Sequence, residues 1–267
     1  ISRISIMGEI NMMKFACKAL VLSMVAGLST VSFASEDNAL AKSGLSFSGS
    51  AALTTDYRFR GITQTESDPA IQGGFQLDHE SGLYAGVWAS NVHFGSDDPT
   101  HLELDPYIGY ATELPLAGKP TLDVGLWYYG YPSSSDLNWL EIYAKLGFDN
   151  AIVTGDNLLA AVNYSNDVAG TDEDGWYLNL AYSVPFADTG FGGVASVGYT
   201  KVDIDDAFNG KDNYVDWKVG VSYDFKSIEG FSAELAAIGT NIDTDELAKF
   251  EKRGVKTGAV FTLTKSF

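Results

Sequence analysis

From residue 45 to Phe267 the chain alternates apolar and polar side chains with a period close to two, and helical spacing is almost absent. The final stretch, 255–267, sets Val255, Thr257, Ala259, Phe261, Leu263 and Phe267, with Lys265, on one face. Lys256, Gly258, Val260, Thr262, Thr264 and Ser266 stand on the other. A strand that ends on an aromatic side chain with a free carboxylate fits a membrane interface better than a water-soluble core, so this segment reads as the closing strand of a membrane barrel. The first stretch, 45–60, repeats the pattern. Leu45, Phe47, Gly49, Ala51, Leu53, Thr55, Tyr57 and Phe59 oppose Ser46, Ser48, Ser50, Ala52, Thr54, Asp56, Arg58 and Arg60.

Ten further strands are predicted at 71–79, 83–94, 102–112, 121–131, 139–148, 158–165, 176–184, 194–204, 214–225 and 231–240. The total is about twelve, even as in single-chain bacterial barrels, with one hairpin more or less giving fourteen or ten. The expected fold is all-β: a transmembrane, antiparallel, up-and-down β-barrel. Even parity would place both termini on the periplasmic side and the longer, more acidic links on the outside. Two assignments stay open: the lipid face of 83–94, where Leu83, Ala85 and Val87 compete with Tyr84, Trp88 and Val92, and the register of 194–204. Residues 244–252 read as a solvated charge run in the last outer loop rather than a helical turn.

The chain begins differently. Lys14 and Lys18 precede an apolar run at 19–31 that ends on Ser32, Phe33 and Ala34, a small-x-small sequence that signal peptidase would cut between Ala34 and Ser35. Residues 1–34 are therefore expected to be an upstream extension plus a cleavable signal peptide, and 35–267 a single barrel domain. The apolar run is shorter than the roughly 20 residues of a transmembrane helix. Its removal takes away Cys17, the only cysteine, leaving no thiol for a disulfide, a metal site or a nucleophile.

Charge narrows the function. The chain has 17 basic and 35 acidic side chains, a net charge of −18, so a basic surface for nucleic acid is excluded. Aromatic residues make up 13% of a chain only 19% charged, as expected when each strand shows one face to lipid and one to water. Reading the polar faces as a lumen gives candidate pore-lining residues: Asp56, Arg58, Arg60, Glu103, Asp105, Asp123, Trp127, Tyr129, Glu141, Lys145, Asp216, Lys218, Glu234 and Lys256. Opposed acidic and basic patches would orient polar solutes passing a constriction at Trp127, Tyr129 and Tyr131. The alternative is that Arg58 and Arg60 pair with Glu103 or Asp105 and plug the lumen.

Signals for an enzyme are poor. His79, His93 and His101 form no metal-ligand spacing, and Ser90 and His93 lie three residues apart in a predicted strand, on opposite faces. No cofactor, metal or catalytic residue is expected. The expected partners are outer-membrane lipid and lipopolysaccharide, the barrel assembly machinery reading Phe267, and small polar solutes.

The chain resembles the TorF-like porin family of Gram-negative outer membranes. The resemblance rests on the segments TDYRFRGITQT at 55–65, PAIQGG at 69–74, GLYAGVWASNV at 82–92, ELDPYIGY at 103–110, YYGYP at 128–132 and NWLEIY at 138–143. It is closest in the first half of the barrel domain. It implies a porin-like role in the outer membrane, with no catalytic residue and no assigned substrate. A passive channel for small polar solutes or ions is the leading expectation, and a closed structural or surface-interaction barrel the alternative.

Overall fold

The structure, a computed structural model, describes residues 43–267. The expected signal peptide with its Ala34–Ser35 cleavage point, and Cys17, lie outside the described residues. The period-two pattern becomes a closed antiparallel barrel of twelve strands. They are β1 (Leu45–Thr54), β4 (Ala70–His79), β5 (Leu83–Asn91), β6 (Leu102–Glu113), β7 (Thr121–Tyr129), β8 (Trp139–Asp149), β9 (Asn157–Ser165), β10 (Gly175–Pro185), β11 (Phe191–Val202), β12 (Asn213–Asp224), β13 (Phe231–Thr240) and β14 (Gly258–Ser266). Two short strands, β2 (Arg58–Phe59) and β3 (Ile62–Thr63), form a separate hairpin. Each barrel strand pairs with its sequence neighbour, and β1 pairs with β14 to close the ring, with Ser50 opposite Ser266 and Thr54 opposite Thr262.

The outward face is apolar on every side. Phe47, Leu53, Ile71, Phe75, Leu104, Ile108, Leu126, Ile142, Leu178, Val219, Leu235 and Phe261 are all exposed, a continuous apolar belt that water would not tolerate on a soluble protein. This belt resolves both open faces. Leu83 points outward while Trp88 is turned inward against Tyr57, and Val197 and Tyr199 point outward while Thr200 is buried. Phe267 seals the seam: its amide and carbonyl exchange hydrogen bonds with Gly49 at 3.0 and 2.9 Å, and its ring packs 6.3 Å from Phe75.

One end of the barrel carries tight turns and the other long loops. Among the tight turns, 150–156 is held by Asp156, whose Oδ2 accepts from the amides of Ile152 and Val153, each at 2.9 Å, and from Tyr182 Oη at 2.7 Å. Desolvation works against the charged carboxylate, but these donors outweigh it and keep Asp156 below the usual carboxylate range. A depressed folded-state value means stabilisation present above the ordinary carboxylate range and lost as pH falls through the lowered value. Acid titration of unfolding in detergent should therefore show a loss of stability below about pH 4 that is smaller in Asp156→Asn. Equal acid sensitivity of both proteins would contradict this.

Three sequence expectations are corrected at the long-loop end. The first strand does not run to Arg60: it stops at Thr54, and the chain turns into the barrel. The stretch 244–252 is not merely a charge run, because helix α1 (Lys249–Val255) forms, with the Glu251 carboxylate accepting from the Ala248 amide at 2.7 Å. Lys256 does not line the pore: it follows α1, ahead of β14, and its side chain is exposed.

Candidate functional site

Residues 55–69 make a plug. The residues after β1 keep their alternation but leave the wall, and Arg60 and Gly61 form a two-residue turn with φ of 44° and 85°, placing Arg58 opposite Thr63 and Phe59 opposite Ile62. Positive φ at both turn positions is the type I′ hairpin geometry, which the second position meets with glycine. Gly61 is also required by proximity. A Cβ there would stand 2.5 Å from Thr240 Cγ2 and 2.7 Å from the Gly239 carbonyl, so the tip touches the β13 wall. The hairpin thus reaches from its root on β1 into the lumen with Tyr57, Phe59 and Ile62 buried.

Apolar packing holds one side. Phe59 meets Tyr129 edge to face at 6.3 Å, Tyr57 meets Trp88 at 5.6 Å, and behind them Trp127 stacks on Tyr107 at 4.4 Å and Tyr129 on Trp139 at 4.2 Å. Trp127, Tyr129 and Tyr131, expected to form a constriction, are buried side chains, with Tyr129 in the wall against which the plug packs. Full burial of side chains such as Phe59 and Ile62 contributes about 1.5–3 kcal/mol each.

Polar bonds hold the other. Asp56 accepts from Arg58 Nε at 2.7 Å and Thr63 Oγ1 at 2.6 Å, and Arg58 Nη1 and Nη2 donate to the carbonyls of Lys256 (2.6 Å) and Arg253 (3.1 Å). Arg60 donates to Glu141 Oε1 on β8 at 2.6 Å and lies over the Tyr177 ring of β10, 4.1 Å from its centroid. The second Glu141 oxygen accepts from Tyr129 Oη at 2.8 Å and Asn163 Nδ2 at 3.0 Å. Arg60 and Glu141 are almost wholly removed from solvent; both Glu141 oxygens accept hydrogen bonds and the Tyr177 ring faces the guanidinium, while Arg60 Nε is buried with no hydrogen-bond partner among the described residues.

The expected lumen residues are therefore mostly inside, with different partners. The arginines do not pair with Glu103 or Asp105. Glu103 accepts from Tyr57 Oη (3.0 Å) and Tyr131 Oη (3.1 Å), and Asp105 from Trp127 Nε1 (3.0 Å) and the Gly130 amide (3.1 Å). Toward the tight-turn end, Lys145 lies 3.4 Å from Asp123 and 4.0 Å above the Tyr143 ring, Tyr84 hydrogen-bonds Asp123 and Tyr143, and Lys218 Nζ meets Glu234 at 3.0 Å. Asp216 takes a 3.3 Å bond from Tyr177 Oη beside the hairpin tip. Sequence reasoning missed the inward turn and with it Tyr57, Phe59 and Tyr177; the Arg60–Gly61 pair between Phe59 and Ile62 was the available signal.

The pairing of Ser90 with His93 does not occur. Ser90 is buried on the inward face, donating to its neighbour's carbonyl, whereas His93 sits in the following loop 3.6 Å from Glu66.

Over residues 38–267 the chain matches the family described as "Bacterial protein of unknown function (Gcw_chp)". The chain belongs to this family. No curated protein matches it. Among solved structures this Gcw_chp chain is similar to the NanC porin, at 10% identity and a TM-score of 0.53, covering 82% of this chain and 98% of that one. Weaker overlaps include the COG4313 outer membrane channel from Pseudomonas putida F1 (12% identity, TM-score 0.43, 83% and 95% covered) and LpxR from Salmonella typhimurium (9%, 0.43, 82% and 99%). The likeness to NanC is one of fold, and it extends over nearly the whole of that porin.

Proposed function

We propose that the protein is a porin-like channel of a Gram-negative outer membrane that lets small polar solutes or ions diffuse through a lumen narrowed by the 55–69 hairpin. The observation that carries this reading is the pairing of an unbroken apolar outer belt with an inner face lined by charged side chains and water-reached polar residues. Lipid and lipopolysaccharide would contact the belt, the long acidic loops would face outward, and the strand ending at Phe267 would be the one read by the barrel assembly machinery. Residues 35–267 would form the exported barrel after cleavage of 1–34. The resemblance to TorF-like porins and the porin fold of NanC support the same reading. No catalytic role is assigned.

A second reading, a closed structural barrel, is favoured by the burial of Arg60, Glu141 and Phe59 across the long-loop end. Planar-bilayer recording separates the two. The channel reading expects small discrete conductance steps from purified folded protein that vanish after heat denaturation. A silent bilayer with correctly folded protein sinks that reading and leaves the closed barrel.

A further inference from the structure

Four basic side chains enter the barrel interior among the described residues, and each is matched to one carboxylate. Arg58 pairs with Asp56, Arg60 with Glu141, Lys145 with Asp123 and Lys218 with Glu234. At least four carboxylates on inward faces are left over, of which Asp78 on β4 accepts from Gln76 Nε2 at 2.7 Å. Glu103 and Asp105 receive hydrogen bonds from neutral donors alone, and Asp216 receives one on Oδ1 while its buried Oδ2 has no partner among the described residues. The Arg60 charge acts on Asp216, but its guanidinium donates to Glu141. The interior cations are thus spent; Glu103 and Asp105 lie buried among neutral donors, where a charge is poorly sustained, so the negative surplus that ions would meet lies with Asp78 and Asp216.

We infer that the channel passes cations in preference to anions, the sign being set by interior carboxylates in excess of interior cations. The inference rests on the channel reading. A lumen walled by low-dielectric protein focuses the field of its fixed charges, so a small excess of one sign biases which ions enter. The long-loop mouth adds to it, because loop 166–174 carries four acidic and no basic side chains and loop 203–212 four acidic against one basic. The most accessible of the four pairs is Lys218–Glu234, whose side chains keep 15% and 29% of their surface exposed.

This pair gives a test in which a structural role and an electrostatic one diverge. Reconstituted protein is held in a potassium chloride gradient and the zero-current potential is read for wild type, Lys218→Gln and Glu234→Gln. The wild type should make the dilute side positive, a potassium-to-chloride permeability ratio above one. Lys218→Gln frees Glu234 and should raise the ratio, whereas Glu234→Gln frees Lys218 and should lower it. A wild-type ratio at or below one, with clear conductance, overturns the inference and leaves the channel standing. Shifts of both variants in the same direction also overturn it, since loss of packing would not depend on which charge was removed. Absence of conductance in folded protein sinks the channel and the inference together.

Discussion

Replacing residues 56–68 by a short Gly-Ser link should raise single-channel conductance several-fold. The hairpin occupies the lumen at the long-loop end, from its root after β1 to a tip in contact with Thr240, and its removal takes Phe59, Arg58 and Arg60 out of that cross-section. The barrel wall should survive, because β1 makes its wall pairs through Leu45–Thr54 and not through the hairpin. Twelve strands lie between the roughly eight whose interior side chains fill and the 16–18 that leave an open channel, so the unplugged lumen should hold water. The check is conductance of the deletion variant beside wild type in one bilayer system, with slower migration on boiling showing that both barrels were folded. Unchanged conductance would mean that the hairpin does not limit passage.

Glu141→Ala should release the hairpin without unfolding the wall. It leaves the Arg60 guanidinium buried without its carboxylate and strips the acceptor of Tyr129 and Asn163, a loss of about 3–5 kcal/mol for a broken buried pair. The strand ladders do not depend on this side chain, so the cheapest relief is for the hairpin to leave its seat. Trypsin should then cut at Arg58 or Arg60 in folded, detergent-solubilised barrel, where the wild type is protected. The double variant Arg60→Met/Glu141→Leu, which removes both charges, should recover protection, because it is the orphaned charge and not the missing contact that expels the hairpin. Cleavage of wild type and Glu141→Ala at equal rates would contradict this account.

The barrel was legible because its physics is local. Period two with one lipid face fixes each strand's orientation residue by residue, and ten of the fourteen expected pore residues (Glu103, Asp105, Asp123, Trp127, Tyr129, Glu141, Lys145, Asp216, Lys218 and Glu234) lie on inward strand faces. The plug was not legible as such. Alternation continues unbroken through Thr55, Tyr57 and Phe59, so periodicity alone could not show that the lipid-facing row had become lumen-facing. Length could have: sixteen residues from 45 to 60 exceed the roughly 9–11 that a tilted strand needs to cross a bilayer. The partners of Arg58 and Arg60 lay beyond reach for another reason. They depend on how far an inserted hairpin extends across a ring of strands, and neither the register of β1 nor its composition carries that distance.

The hairpin also bears on the one joint that chain order leaves for last. The seam between β1 and β14 has five register pairs, against ten between β1 and β4, and it is lengthened by the Gly49–Phe267 bonds at one end and by the Thr55 amide to Phe261 carbonyl bond at the other. Arg58 adds ties from inside, since the carbonyls it binds belong to Arg253 and Lys256, directly ahead of β14. The plug is therefore a rivet across the zipper line of the cylinder, fastening first strand to last where the wall is thinnest in bonds. A barrel that opened its throat would give up these inner ties and leave the seam to its own ladder and the Gly49–Phe267 bonds, so that opening would be felt first at this joint while the wall stayed closed.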